Sequence, residues 1–356
     1  MKIVFIVPEI AISGGMRLIF EISNRLIKKG HSVVLYTPII PFNPYKGIYK
    51  PDYFRYRIKY VIKYFLGKVK IPKNLFERMF EIKYVPYINN LFVENADAVV
   101  ATSWTTAHFV NKLSGEKGKK FYLIQDYEQW KSNIKYVNES YKLPLNRIVI
   151  SKYLQDLLKN KFDVESKRIL IGINTEKFNN TEKIFNIPRR ILFMDHELDN
   201  KNVQGAIDTV IKLKQNFSDL QFRAFGVEKH HKIPDFVEFF SNSSDEKVRK
   251  LYCESDIFLF PSLFEGFGGP PAEAMACKCA VVGNAVAALP DYAIDKETAI
   301  LTNPLKPEQL YEGVKFLLEN KSELERISLA GYNYVRKVLD WEAAINNFEK
   351  YFTDIN

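Results

Sequence analysis

The chain is 356 residues long, is 47% hydrophobic and carries 51 lysines and arginines against 42 acidic residues, a formal charge of +9. That length and apolar content exclude a disordered chain and leave room for two domains of ordinary size. The three cysteines, Cys253, Cys277 and Cys279, are odd in number and include one C-x-C pair, so they fit neither a disulfide framework nor a structural zinc site; they imply a reduced, cytoplasmic setting.

Residues 2–7 form a compact apolar run. Pro8, Glu9 and the glycines follow too soon for a secretory signal, so the run reads as a first β-strand. Ser13, Gly14 and Gly15 make a loop, residues 16–29 an amphipathic helix closed by Gly30, and residues 32–37 the next strand. Residues 98–101, 121–124 and 147–150 read as buried strands. Each is followed by a helical or loop segment, and His108 falls in one of these helices as a packed or exposed residue. Strands alternating with helices imply a parallel sheet wound on both faces. An insertion, residues 41–92, interrupts this pattern. From Lys46 to Lys83 it has eleven lysines and arginines against Asp52, Glu77 and Glu81, a net of +8, and it is crowded with aromatics from Tyr45 to Phe80. Interleaved basic and aromatic residues suit an anionic membrane surface or an acidic ligand, and a solvated basic face with inward aromatics fits the same pattern. No apolar run reaches the roughly 18 to 20 residues that cross a bilayer, which implies a soluble or peripheral protein on the inner face of the plasma membrane.

Residues 174–188 are polar and unpatterned, a linker. The alternation then restarts with strands at 191–194, 222–225, 257–260 and 280–282 and helices at 203–217, 245–255, 308–320 and 322–338, with a polar region up to Ser244. A last amphipathic helix spans 341–352. The fold expected is α/β, two doubly wound, Rossmann-like parallel-sheet domains facing across a cleft. The boundaries expected are 1–173, 174–338 and a terminal segment 339–356 that crosses back to the first domain. Ligands in such sheets bind beyond the C-terminal ends of strands.

Residues 261–276 carry the most chemistry. Glu265 and Glu273 stand eight positions apart around three glycines and two prolines, after an apolar strand and at the start of a small-residue helix near Pro271. A strand, a glycine-rich turn and a helix start make an anion site of backbone N–H groups. Proline is tolerated in that first turn. A carboxylate beside an anion site repels phosphate, so Glu265 and Glu273 read as acceptors for hydroxyls. The pattern suggests phosphates flanked by two sugars.

These residues resemble the donor site of retaining glycosyltransferases of family 4, with the GT-B fold. The likeness runs through Pro290, Asp291 and Leu301 to the Trp341 helix, and includes Gly14 and Gly15 after the first strand and the hinge-like run from Ile171 to Asn174. The resemblance implies that Glu265 contacts donor-sugar hydroxyls near the reacting carbon. Gly268 and Gly269 would offer N–H groups to the donor, and Glu273 would bind the ribose. Lys201 would bind the diphosphate; its alternative reading is a solvated loop lysine. His196 stands where the family has an arginine, five positions before Lys201, and would serve the donor with fewer hydrogen bonds and partial charge. The run Gln125-Asp126-Tyr127-Glu128 replaces a common histidine and resembles a subset that includes bacterial rhamnosyltransferases. Asp126, as a catalytic or donor-sugar contact, and Glu128, on the acceptor side, are the candidates there, against a plain reading as a helix N-cap and first-turn acid.

The resemblance implies transfer of a sugar from a nucleoside diphosphate sugar to a surface glycan or lipid-linked acceptor, with no metal and no other cofactor. No Asp-x-Asp motif stands in a metal-holding loop. A nucleotide-sugar epimerase, a phosphorylase and a non-catalytic nucleotide-sugar or nucleic-acid binding module remain as alternatives. Nucleic acid is the disfavoured partner. A dinucleotide enzyme is set aside because Ser13-Gly14-Gly15 lacks the G-x-G-x-x-G spacing.

Overall fold

The structure, a computed structural model, describes residues 1–11, 13–39, 62, 66, 78–128, 134–185 and 189–354. The chain divides into two compact units. The first holds residues 1–150, 154–169 and 345–356, and the second 151–153 and 170–344.

The first unit is built on a seven-stranded sheet in the order β3-β2-β1-β4-β5-β6-β7, all neighbours parallel. The strands are β1 (Lys2–Ile6), β2 (Ser32–Pro38), β3 (Glu81–Val85), β4 (Ala98–Ala101), β5 (Lys119–Ile124), β6 (Asn146–Val149) and β7 (Lys167–Arg168). Ile3 to Ile6 and Ala98 to Ala101 are all buried, as expected of central strands covered on both faces, which read as unbroken apolar runs. Helix α1 (Gly14–Lys28) starts two residues earlier than its apolar pattern suggests. The Ser13 hydroxyl accepts from the Met16 N–H at 3.2 Å and caps the helix, which places both glycines in its first turn. Helices α2 (Trp104–Asn111), α3 (Ile134–Lys142) and α4 (Lys152–Phe162) complete the unit. Strand β3 lies inside the expected insertion, so that segment does not stand wholly outside the sheet. The basic aromatic stretch itself falls outside the described residues, apart from Ile62, Leu66 and 78–83.

The second unit has a six-stranded parallel sheet in the order β10-β9-β8-β11-β12-β13. Its strands are β8 (Arg189–Met194), β9 (Leu220–Gly226), β10 (Val237–Ser241), β11 (Ile257–Phe260), β12 (Ala280–Asn284) and β13 (Ile300–Thr302). The order reverses between β8 and β11, which opens a crevice at their C-terminal ends. Around it lie α5 (Val203–Asn216), α6 (Asp245–Glu254), α7 (Gly269–Ala276), the short α8 (Leu289–Tyr292), α9 (Glu308–Glu319) and α10 (Lys321–Val338). The small side chains of α7 follow from its packing: Ala272, Ala274, Met275 and Ala276 are all buried in the core under β11 and β12. Strand β10 forms within a stretch that reads as polar because its Glu238 and Ser241 face solvent, while Val237 is buried.

The final helix, α11 (Trp341–Asp354), begins in the second unit, and from Ile345 its residues count with the first. In the first unit the Phe352 ring meets Phe121 of β5 edge-on at 4.8 Å, and His31 bonds Glu349 at 3.1 Å. Burying a phenylalanine in this way contributes about 1.5–3 kcal/mol. In the second unit Trp341 lies over Gly172. A Cβ on Gly172 would stand 2.4 Å from Trp341 Cγ and 2.5 Å from the Trp341 backbone nitrogen. Backbone atoms cannot yield there as a flexible side chain would. Gly172→Ala is therefore expected to destabilise the fold by about 1–3 kcal/mol, as overpacking does, and thermal denaturation of the variant beside the parent protein reads the loss.

Candidate functional site

In the second unit, two loops leave the C-terminal ends of the strands that flank the crevice. Residues 195–202 follow β8 and residues 261–268 follow β11. Side-chain amides bind the two loops together. Asn200 Nδ2 donates to Phe264 O at 2.7 Å, and Asn200 O accepts from the Leu263 N–H at 2.8 Å. Asn202 Nδ2 donates to Pro261 O at 3.1 Å. It can do so because Asn202 takes a left-handed conformation, φ +49°, at the start of α5. Asn284, at the end of β12, donates to the carbonyls of Pro261 and Ser262 at 2.8 and 3.1 Å and accepts from Thr302 Oγ1 at 2.8 Å. An asparagine suits this work, since one amide presents two donors and an acceptor.

This frame holds Lys201 and Glu265 together. Lys201 Nζ lies 2.9 Å from Glu265 Oε1, and the side chains are only 17% and 7% exposed. Ser262 Oγ donates to the same oxygen at 2.6 Å. Glu265 Oε2 has no hydrogen-bond partner among the described residues, so it is available to a hydroxyl. An ammonium has three N–H groups, and Glu265 takes one of those on Lys201. From sequence, Lys201 and Glu265 read as serving different parts of a ligand. The structure instead makes them one unit, a charge pair mostly withdrawn from water, and excludes the reading of Lys201 as a solvated loop lysine.

Helix α7 starts at Gly269, ahead of the expected start near Pro271. Gly268 precedes it with φ +82° and ψ 68°, a conformation that glycine adopts without the strain a Cβ would bring, and the Tyr292 hydroxyl holds its carbonyl. A Cβ on Gly269 would meet nothing within 4 Å, so the helix start is open. Pro270 and Pro271 remove two of the N–H groups that a helix start normally leaves free. The donors at this end are thus the N–H groups of Gly268 and Gly269, fewer than the spacing alone suggests. Glu273, one turn on, is half-buried, and Tyr252 donates to its Oε2 at 3.4 Å.

His196 lies between β8 and Lys201. Burial, and then the Lys201 charge, push its pKa below the ordinary histidine value. Its Nδ1 accepts from the Leu198 N–H at 3.1 Å, so in the neutral ring the proton sits on Nε2. His196 is thereby a neutral hydrogen-bond donor rather than a second cation, and the fixed positive charge of the site rests on Lys201. Two features escaped the sequence reading: the amide frame of Asn200, Asn202 and Asn284, and Asp195, which is 2% exposed and holds His231 Nδ1 at 2.7 Å. The histidine pair at 230–231, inside a polar run, was the available signal.

In the first unit, Gly14 and Gly15 follow β1 at the start of α1. A Cβ on Gly14 would meet nothing within 4 Å, and one on Gly15 would lie 3.1 Å from Gln125 Oε1, a buried atom without a partner among the described residues. Glu128 is not the first-turn acid of the helix after it. Its Oε1 accepts from the Trp104 N–H at 2.9 Å, at the start of α2, and from the Tyr122 hydroxyl at 3.4 Å. Burial, outweighing the Trp104 bond, pushes its pKa up to about 8, with the nearby Asp126 charge adding to the rise. Asp126 Oδ1 accepts from the Tyr127 N–H at 2.7 Å. The cap of α2 is Ser103, in a capping box with Thr106. His108 is a packing residue of α2, with Nε2 3.0 Å from Tyr136 O.

Residues 174–334 match the family model for glycosyl transferases group 1. An uncharacterized glycosyltransferase of Methanocaldococcus jannaschii, MJ1178, is 25% identical over 218 residues, covering 59% of each chain. The MMP alpha-(1->4)-mannosyltransferase of Mycolicibacterium hassiacum is 33% identical over 112 residues, 31% of this chain and 27% of the relative. The chain thus spans well under two thirds of the length of these curated relatives. Anabaena Alr3699/HepE, solved in complex with UDP-glucose, superposes with a TM-score of 0.74 over 100% of both chains at 12% identity. The strand orders of the two units and this likeness along the whole chain identify the GT-B fold, and the match to glycosyl transferases group 1 falls on residues 174–334, within the second unit.

Proposed function

We propose that the chain is a glycosyltransferase that moves a hexosyl group from a nucleoside diphosphate sugar to a hydroxyl of a surface glycan or lipid-linked acceptor. The observation that carries this reading is the Lys201–Glu265 pair at the mouth of the β8–β11 crevice, 2.9 Å apart and largely withdrawn from water. Cleaving the donor builds negative charge on the β-phosphate. A fixed ammonium in a site of low dielectric stabilises that charge at little cost in reorganisation, usually the largest catalytic contribution. Lys201 has two N–H groups left for phosphate oxygens, His196 Nε2–H supplies a neutral donor, and the N–H groups of Gly268 and Gly269 complete the set. Glu265 Oε2 takes a sugar hydroxyl, and Glu273 takes the ribose.

In this reading the transfer retains configuration and needs no metal, since Lys201 and the backbone donors meet the diphosphate. Asp126 and Glu128 serve the acceptor side, Glu128 as a neutral acid able to donate a hydrogen bond near pH 7. Gly14 leaves open backbone for a donor group, and Gly15 lies beside it against Gln125. Rhamnosyl and mannosyl donors are the two to compare, the first from the Gln125–Glu128 run and the second from the similarity to a mannosyltransferase. The basic stretch 46–83 meets an anionic membrane or an acidic acceptor. No helix among the described residues is long and apolar enough to cross a membrane.

Three measurements test this reading. A thermal-shift screen of UDP-, GDP- and dTDP-sugars is expected to find one base that raises Tm, since ligand at a hundred times Kd adds about 2.7 kcal/mol to the native state; no shift with any of them counts against a donor pocket. Lys201→Ala is expected to lower kcat/KM for sugar transfer by about 10²–10³, the usual cost of losing one donor to transition-state charge. Glu265→Gln, which keeps the shape but loses the charge partner, is expected to lower it as well, and unchanged transfer in both variants would remove the site assignment. Burial raises the folded pKa of Glu128 to about 8, far above the ordinary carboxyl value, so between the two the native state holds a proton that the unfolded chain has released. Its contribution is present at low pH and is lost as pH rises through about 8. Glu128→Gln should match the parent in Tm near pH 4, exceed it increasingly up to about pH 8 and hold a constant lead above that.

A further inference from the structure

The loop between β9 and β10, residues 227–236, is mostly exposed, yet it is pinned at two buried points. One is Ile233, 3% exposed in the core of the second sheet. The other is Asp195, the first residue after β8. Its Oδ2 accepts from the His230 N–H at 2.8 Å and the His231 N–H at 3.4 Å, and its Oδ1 lies 2.7 Å from His231 Nδ1. The backbone closes the same corner, where the Asp195 N–H donates to Phe225 O at 2.8 Å and a Cβ on Gly226 would stand 2.8 Å from Asp195 O. A carboxylate this buried is costly unless its lone pairs are filled, and here three donors fill them.

The place of this clasp matters as much as its bonds. Asp195 adjoins His196 and opens the loop 195–202 that carries Lys201. The loop therefore stands at the C-terminal ends of β8 and β9, the end of the sheet from which residues 195–202 also leave. The site also has few donors for an anion. His196 is neutral, one N–H of Lys201 is given to Glu265, and two prolines strip the start of α7.

We infer that Asp195 and His231 form a positioning pair that holds loop 227–236 against the nucleoside diphosphate half of the donor. This rests on the glycosyltransferase reading and deepens it. The pair sets the backbone of His230 and His231, and with it the run Lys229 to Lys232, at the C-terminal ends of β8 and β9. Asp195 and His231 are positioning residues; the reacting atoms are served by Lys201 and Glu265.

The test is isothermal titration of UDP, GDP and dTDP into the parent protein, Asp195→Asn, His231→Ala and His231→Asn, with Tm recorded for each free protein. Asparagine places its amide N–H where the imidazole places Nδ1–H. His231→Ala and Asp195→Asn are expected to weaken binding of the preferred diphosphate about tenfold, the cost of one charge-assisted hydrogen bond. His231→Asn is expected to restore it to within about threefold of the parent. Parent-like affinity in His231→Ala overturns the inference, and so does a rescue of Tm by His231→Asn without a rescue of affinity. If the parent binds none of the three diphosphates, the glycosyltransferase reading falls and this inference with it. If the parent binds one and Lys201→Ala weakens it, that reading stands whatever becomes of Asp195.

Discussion

Everything in the second unit's crevice is arranged around one energetic problem, a lysine and a glutamate held together with little water. Two charges in that position lose hydration worth several kcal/mol each and recover it only if the geometry is good and the remaining hydrogen-bond groups are satisfied. The protein meets the first condition with the asparagine frame that fixes both loops to within hydrogen-bond distance. It meets the second in part, through Ser262, whose hydroxyl shares the bonded oxygen of Glu265. One oxygen of the carboxylate and two N–H groups of the ammonium are left over. The pair is thus both a structural tie between β8 and β11 and a ready donor–acceptor set.

The surroundings tune that pair by subtraction. Prolines in the first turn of α7 leave glycine N–H groups as the donors, and the open space at Gly269 lets a ligand come close to the backbone. His196 is kept neutral by burial and by the lysine it neighbours, so it adds a hydrogen bond without adding charge. A second cation beside Lys201 would repel it and compete for Glu265. The same logic operates in the first unit, where burial keeps Glu128 neutral and lets it share space with Asp126 at the end of β5. In both units, what a residue does near neutrality is set more by what surrounds it than by its type.

Much of this was legible in the chain itself. Unbroken apolar strands alternating with amphipathic helices specified two parallel sheets, because a strand covered on both faces has no polar side to show. The spacing of Glu265, Gly268, Gly269, Pro270 and Glu273 specified a strand, a turn and a helix start, because glycine takes the positive φ of the turn at Gly268 and proline is at home in a first helical turn. Strands β3 and β10 escaped because edge strands face water on one side and lose the continuous apolar run that marks central ones. The tertiary structure alone decided the pairing of Lys201 with Glu265, the neutral tautomer of His196, the Asp195–His231 bond and the use of Glu128 at the start of α2. Each depends on distances between residues far apart in the chain and on how much water reaches them. Those quantities come into being only when the loops at neighbouring strand ends are packed side by side.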